Sequence, residues 1–307
     1  MDNPSNHELQ KGSADRHPDN EDNSTPETTI IINCVLNAPL MLISILGNAL
    51  VLAAIIRTPS IRSPHMIMLC SLAVSDLLVG LIAQPIYIAN ELTEDGSIHL
   101  VWKITVSSLS VVSLIAITAI TVDRFLALHY HMRYPTLVTE SRVEYTIIII
   151  WLFSFLLSCL NFWNTSAQHL SMGFVILICL IISTLSYMRI FQIARRHQLQ
   201  IDAQQQAVQS LDTENNLSIA RKKVEKGARN TFVFFIALIV CYLPLYIVLT
   251  VNAISQWNFQ IEWDFASTLT FLNSSINPFL YCWRVRELRT AVLKTARQML
   301  RKQTEGN

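Results

Sequence analysis

One carboxylate lies deep inside an apolar stretch of this 307-residue chain. Asp76 stands within residues 72–78, which are otherwise Leu, Ala, Val and Ser. An ionisable group at the centre of a membrane helix opposes insertion by about 2.5–3.5 kcal/mol, so such a residue is functional by default. Hydrolysis inside a membrane needs several converging histidines or acids, and Asp76 is the only acid well inside an apolar block. The sequence therefore predicts that the protein is not an enzyme.

Four further polar residues, Asn48, Ser113, Asn273 and Asn277, lie in apolar blocks at a depth similar to that of Asp76. Their oxygens and that of Asp76 could form a cavity that holds Na⁺ or a network of water molecules. The alternative is that these side chains only form hydrogen bonds that hold neighbouring helices together. No other metal and no cofactor is expected.

The elements that position these residues are apolar blocks that each suit a membrane-spanning helix. The chain is 51% hydrophobic and 15% charged, whereas soluble domains carry about 25% charged residues. A core of roughly 30 Å needs about 20 apolar residues as a helix, and backbone groups in lipid must pair within their own segment. The predicted fold is an all-α, seven-transmembrane helix bundle with spans at about residues 29–56, 66–90, 98–126, 145–160, 171–193, 231–254 and 263–283.

The distribution of Lys and Arg predicts the orientation of the bundle. If the N-terminus is outside, only Lys11, Arg16 and Lys103 of the 23 basic residues are outside as well, as the positive-inside rule requires. We expect a disordered extracellular tail at 1–28 without a signal peptide, a seven-transmembrane domain at 29–283, an amphipathic membrane-surface helix at 284–300 and a cytoplasmic tail at 301–307. Residues 195–221 are either a helical extension or a flexible loop.

A series of short motifs occurs in a fixed order along the spans. They are Gly47-Asn48, Asp76, Asp123-Arg124-Phe125, Trp151, Tyr187, Cys241-x-x-Pro244 and Asn277-Pro278-x-x-Tyr281. In this order and spacing the chain resembles the rhodopsin-like G-protein-coupled receptors over about residues 29–300. The resemblance implies an extracellular ligand, a heterotrimeric G protein, arrestin and a receptor kinase as partners, and the plasma membrane as location. The alternative is a receptor-fold protein that is constitutively active or does not signal.

The resemblance also implies roles for individual residues. Asp123 and Arg124 would form an intracellular lock, from which Arg124 is released to meet Tyr187 and the G protein, with Tyr281 moving inward. The resemblance assigns activation and G-protein coupling to these residues and also to Met132, Asn277 and Pro278. In span six, Tyr242 and Pro244 would relay the activating movement, and Pro244 would be the pivot on which the span opens. The sodium or water site would comprise Asp76, Asn48, Ser113, Asn273 and Asn277.

The chain departs from the usual family pattern at several positions. His99 stands where most members have the cysteine of an extracellular disulfide, so that bond is predicted to be absent. Tyr242 replaces the usual Trp, and Leu238 replaces the usual Phe one turn below it. The short second extracellular loop, the absence of the span-three Cys and the absence of the usual span-five Pro are typical of melanocortin, lipid and cannabinoid receptors. The segments 133–139 and 281–289 are instead similar to adenosine receptors.

The ligand is an unknown small molecule, lipid or peptide. The predicted pocket is Tyr87, Trp102, Val106, Leu249 and Phe271. Val106 stands where amine receptors have an acid, Leu249 where adenosine receptors have Asn, and Phe271 where opsins have the retinal-binding Lys. These substitutions disfavour monoamines, adenosine and retinal.

Two further positions bear on the ligand and on glycosylation. Lys103, like His99, stands where melanocortin receptors place acids, which disfavours a basic peptide. Sequons at Asn23 and Asn164 predict glycans on the extracellular side.

Overall fold

The structure is a computed structural model, and it describes residues 27–61, 63–93, 96–207, 211–255 and 260–305. Within these ranges every regular element is a helix. Residues 1–26 of the predicted extracellular tail, and with them the sequon at Asn23, therefore lie outside the described residues.

Ten α-helices follow one another along the chain. They are α1 Glu27–Arg57, α2 Pro64–Leu78, α3 Gln84–Leu92, α4 Gly96–His129, α5 Tyr134–Leu137, α6 Glu140–Ser158, α7 Thr165–Ala207, α8 Leu211–Ser255, α9 Gln260–Arg284 and α10 Arg286–Glu305. A π-helical turn, Val79–Ala83, joins α2 to α3, so these two helices form span two. Spans one and three to seven are α1, α4, α6, α7, α8 and α9.

Several boundaries differ from those predicted. Span four begins at Glu140 rather than near residue 145, because the polar residues 140–144 continue the helix on the cytoplasmic side of the apolar block. Residues 195–207 and 211–221 are helical extensions of spans five and six, which settles the choice between helix and loop for those residues. The amphipathic helix runs on to Glu305, since residues 301–305 contain neither Gly nor Pro.

Among the described residues, six helical segments are long and apolar enough to cross a membrane. The seventh predicted span, α9, is not one of these six. It carries many polar side chains, but most of them face other helices. Its buried polar residues are Asp264, Ser267, Thr268, Thr270, Asn273, Ser274, Ser275 and Asn277. Burial against protein explains why a helix with this composition lies in an apolar bundle.

The bundle is held by packing between neighbours in space. Span one contacts spans two and seven, span three contacts spans two, four and five, and span six contacts spans five and seven. One apolar core extends through these contacts and includes Leu72, Leu114, Leu238 and Tyr281. Polar residues of spans one, two, three and seven are buried within the same bundle.

Gly47 allows a close approach between spans one and seven. A Cβ atom at this position would lie 2.9 Å from Cγ and 3.1 Å from Cβ of Pro278. The pyrrolidine ring cannot rotate away, because it is closed on the backbone. The absence of a side chain at Gly47 therefore sets the distance between the two helices.

We expect Gly47→Ala to lower the stability of the bundle by about 1–3 kcal/mol, because the added methyl overpacks a rigid contact. Thermal unfolding of the purified protein in lipid nanodiscs measures the change. Gly173→Ala is the matched control, since its Cβ would lie 3.5 Å from the nearest atom, Thr250 Oγ1, and both variants gain the same helix propensity. Equal unfolding midpoints for the two variants would contradict the prediction.

Candidate functional site

The Asp76 carboxylate is buried between spans two, three and seven. Its Oδ1 accepts a hydrogen bond from Ser113 Oγ at 3.0 Å, and its Oδ2 accepts one from Asn277 Nδ2 at 2.7 Å. Ser75 Oγ lies 3.1 Å from Ser113 Oγ. Three of the five residues predicted for this site are therefore in direct contact.

Asn48 joins the same region from span one but does not contact the carboxylate by a hydrogen bond. Its Nδ2 donates to the backbone oxygens of Ser44 (2.9 Å) and Ser274 (3.1 Å). Ser44 Oγ in turn donates to the backbone oxygen of Asp76 at 2.8 Å. Asn48 Oδ1 is buried and accepts no hydrogen bond, so it is an oxygen with acceptor capacity in the interior.

Asn273 faces span six instead of Asp76. Its Nδ2 donates to the Tyr242 hydroxyl at 3.4 Å, and that hydroxyl donates to the backbone oxygen of Ser110 at 3.4 Å. Tyr242 is fully buried two residues before Pro244, which lies inside α8. The tyrosine thus links spans three, six and seven next to the proline predicted as the pivot.

At the cytoplasmic end of span three, the Asp123 carboxylate has partners from two other elements. Its Oδ1 accepts a 2.6 Å hydrogen bond from the Tyr134 hydroxyl, and its Oδ2 lies 3.3 Å from His65 Nδ1. Burial and the hydrogen bond to Asp123 raise the pKa of Tyr134 above its ordinary value. The phenol therefore stays protonated and remains a donor at neutral pH.

Arg124 lies beside this cluster without an ion pair. Among the described residues, no carboxylate is found within ion-pair distance of the Arg124 guanidinium. Arg124 is partly buried, and its Nε has no hydrogen-bond partner. In this structure the carboxylate next to Arg124 is hydrogen-bonded by Tyr134 and lies close to His65, two residues to which the sequence interpretation gave no role.

Two tyrosines assigned to activation pack against aromatic residues of span six. The Tyr187 ring stacks on Phe235 with the centroids 5.2 Å apart, and the Tyr281 ring stacks on Phe234 at 6.0 Å. The Tyr281 hydroxyl is buried without a hydrogen-bond partner. Arg284 also contacts the Phe234 ring, with its guanidinium carbon 5.0 Å from the ring centroid.

Met132 and Asn164 are exposed at opposite ends of the bundle. Met132 is 87% exposed in the turn before α5, where no described element covers its apolar side chain. Asn164 precedes α7, and its Oδ1 accepts a hydrogen bond from the Ala167 backbone N–H at 3.0 Å. This cap uses the oxygen, so the amide nitrogen that would carry a glycan is not engaged by it.

A cleft opens between spans three, five, six and seven at the end opposite to Asp123. Its unoccupied space, together with the open solvent at its mouth, is about 440 Å³. Its described lining residues are Trp102, Lys103, Val106, Ser107, Ser110, Asn161, Gln168, His169, Met172, Leu245, Trp263, Ser267 and Thr270. We call this the outer cleft.

The outer cleft includes two of the five predicted pocket residues, Trp102 and Val106, and not the other three. Tyr87 and Phe271 are fully buried and pack on each other, with centroids 5.4 Å apart, beside Trp102. Leu249 is fully buried in the main core. These three side chains are occupied by helix packing, which a position-by-position comparison with the family does not reveal.

Four residues near the outer end of the bundle were not predicted from the sequence. Gln168, His169 and Met172 line the outer cleft, and only the rotation of span five about its axis brings them there. Asp264 is fully buried near the outer end of span seven, although the sequence interpretation treated Asp76 as the only acid inside a span. None of these positions is marked in the sequence by a Pro, a Gly or a motif.

Comparison with known proteins agrees with this geometry. The profile of the 7 transmembrane receptor (rhodopsin family) matches residues 47–168 and 159–281. The adenosine receptor A2b of Gallus gallus is 28% identical, over 90% of this chain and 91% of the relative. The melanocortin receptor 4 of Danio rerio is 27% identical over 85% and 82%, and the histamine H2 receptor of Cavia porcellus is 27% identical over 82% and 76%.

The chain belongs to the rhodopsin family of seven-transmembrane receptors, because the family profile matches most of its length. It is a multi-pass membrane protein with the seven-helix bundle of that family, and its similar proteins are G-protein-coupled receptors. It is therefore a receptor in signal transduction rather than an enzyme, as predicted. The similarity to adenosine and melanocortin receptors agrees with the resemblance found in the motifs.

Proposed function

We propose that this receptor binds a ligand in the outer cleft and catalyses nucleotide exchange on a heterotrimeric G protein. The proposal is supported chiefly by the arrangement of side chains at the inner end of the bundle. There Arg124 has no ion pair among the described residues, and Tyr187 and Tyr281 each stack on a span-six ring. Movement of span six would separate both ring pairs and open a site beside Arg124, which is how a two-state bundle couples two ends.

The exposed side chain of Met132 supports a contact with the same partner. It lies in the turn between spans three and four, close in sequence to Tyr134, which holds Asp123. An apolar side chain that is 87% exposed beside a charged network is suited to insertion into a partner protein. We assign it to the G-protein surface.

We propose that the N-terminus is extracellular, the C-terminus cytoplasmic and the location the plasma membrane. The support is the basic charge of the sequence on the Arg124 side of the bundle. This orientation places Asn164 outside, where a glycan on its nitrogen is compatible with the cap that its oxygen forms. Arrestin and a receptor kinase would use the same cytoplasmic face as the G protein.

A test of the function uses the full chain in lipid nanodiscs with purified G proteins of each Gα class. Binding of a non-hydrolysable GTP analogue is measured with and without candidate ligands, against empty nanodiscs. We expect exchange that depends on the receptor with at least one Gα class. Maximal exchange without any ligand would indicate a constitutively active receptor, and no exchange with any class would indicate a receptor fold that does not signal.

We propose Na⁺ as an allosteric ion held by the region around Asp76. The donor set fits this ion: a carboxylate, the Ser113 hydroxyl and the Asn48 Oδ1 that accepts no hydrogen bond are all hard oxygens, and a univalent cation needs only one carboxylate. A bound cation would favour the inactive bundle by tying spans one, two, three and seven together.

We expect Na⁺ to raise the unfolding midpoint of the wild-type protein relative to K⁺ at equal ionic strength, and Asp76→Asn to abolish the difference. At a tenfold excess over its dissociation constant the ion contributes about 1.4 kcal/mol, or about 3–6 °C. Thermal unfolding in nanodiscs is the measurement, and Ser113→Ala should give an intermediate response. Identical wild-type midpoints in the two salts would rule out the ion site.

A further inference from the structure

The mouth of the outer cleft carries a cation that has no counter-ion among the described residues. Lys103 lines the cleft from span three. Among the described residues no carboxylate lies within ion-pair distance of its ammonium. A half-buried charge without a partner lowers stability and is retained where it serves a ligand.

The other polar groups at the mouth are also suited to donate hydrogen bonds. Trp102 is 2% exposed, lines the cleft, and its Nε1–H has no hydrogen-bond partner. An indole nitrogen can only donate. His169, on span five, lines the opposite side of the cleft. None of the described residues that line the cleft is acidic.

Much of the remaining lining is apolar or already hydrogen-bonded. Val106, Met172 and Leu245 form the lower wall, and Trp263 closes one side with its ring 5.2 Å from that of His169. Ser107 Oγ donates to backbone oxygens of its own helix. A ligand would therefore meet positive charge and unused donors at the mouth and an apolar wall below.

We propose that the outer cleft binds a small organic anion, whose carboxylate pairs with the Lys103 ammonium and accepts a hydrogen bond from the Trp102 indole. The body of the ligand is apolar or aromatic and packs on Val106 and Met172. This inference rests on the proposed receptor function, since it names the chemical class of the ligand for the same cleft.

The test measures direct binding, so it does not depend on G-protein coupling. The full chain in nanodiscs is screened with aromatic skeletons that are each present as carboxylate, amide and amine, for example phenylacetate, phenylacetamide and phenethylamine. We expect carboxylates to bind about tenfold more tightly than amides of the same skeleton, as one charge-assisted hydrogen bond predicts. Amines should bind more weakly still, because Lys103 repels them.

Three variants identify the residues. Lys103→Met should reduce carboxylate affinity about tenfold without lowering the unfolding midpoint, since no described ion pair is lost. Lys103→Arg should retain the preference. Trp102→Phe removes the indole donor and should weaken carboxylates alone. Lys294→Met, which removes an exposed lysine of α10, is the matched control and should change nothing.

Several results would overturn the anion site: amines or amides binding as tightly as carboxylates, no carboxylate binding at all, or an unchanged preference in Lys103→Met. Each of these leaves the receptor function intact if the receptor still stimulates nucleotide exchange. Carboxylate binding that Lys103 controls, together with no exchange on any Gα class, would instead support the site and contradict the proposed function.

Discussion

Arg124→Ala is expected to reduce receptor-stimulated nucleotide exchange by roughly ten- to a hundredfold, the range of a typical coupling free energy. The bundle should still fold, because Arg124 has no ion pair within the described residues and its Nε has no hydrogen-bond partner. Removing the side chain therefore breaks no bond that the structure shows. What it removes is a cation available to an incoming G protein.

Nucleotide exchange on the G protein and the amount of receptor at the cell surface measure the two halves of this prediction. Arg189→Ala is the control, because Arg189 is an exposed arginine on span five outside the cluster around Asp123. Its loss removes the same charge from the chain but should leave exchange unchanged. Normal exchange by Arg124→Ala at normal surface expression would refute the role proposed for this residue.

Asp123→Ala is expected to lower stability and raise basal exchange. The substitution removes the acceptor of the 2.6 Å Tyr134 hydrogen bond and the 3.3 Å His65 contact. A hydrogen bond to a charged acceptor contributes about 1.5–3 kcal/mol, so the unfolding midpoint should fall by roughly 4–8 °C. Loss of the contacts between span three, span two and the α5 turn should favour the open bundle.

Single removals of the two partners separate their contributions. Tyr134→Phe deletes only the hydroxyl donor, and His65→Ala deletes only the imidazole. Each should raise basal exchange less than Asp123→Ala does. If Asp123 were instead held by Arg124 in the resting receptor, both single variants would behave as wild type, and Arg124→Ala would itself raise basal exchange.

The two partners of Asp123 show where the family pattern stops being informative. The motif Asp123-Arg124-Phe125 correctly marked the inner end of span three, and the resemblance implied a pair between its first two members. The structure instead brings the carboxylate to Tyr134, 11 residues along the chain, and to His65 on span two. Adjacent side chains on a helix point in different directions, so neighbours in sequence are poor partners for one another.

The sequence alone determined the helical class, the spans and the receptor family, because these depend on apolar length and on motifs read along one chain. It also marked Asp76 and Asn277 as inward-facing, and their side chains meet although they are 201 residues apart. Burying a polar group in an apolar bundle demands a partner wherever it comes from.

Only the tertiary structure decided which helix faces meet. The contact of Gly47 with Pro278 depends on how close spans one and seven approach. The position of His169 across the outer cleft from Lys103 depends on the rotation of span five about its axis. The burial of Tyr87 against Phe271 depends on the rotations of spans two and seven. These rotations follow from side-chain packing between distant segments, which no local pattern of apolar residues specifies.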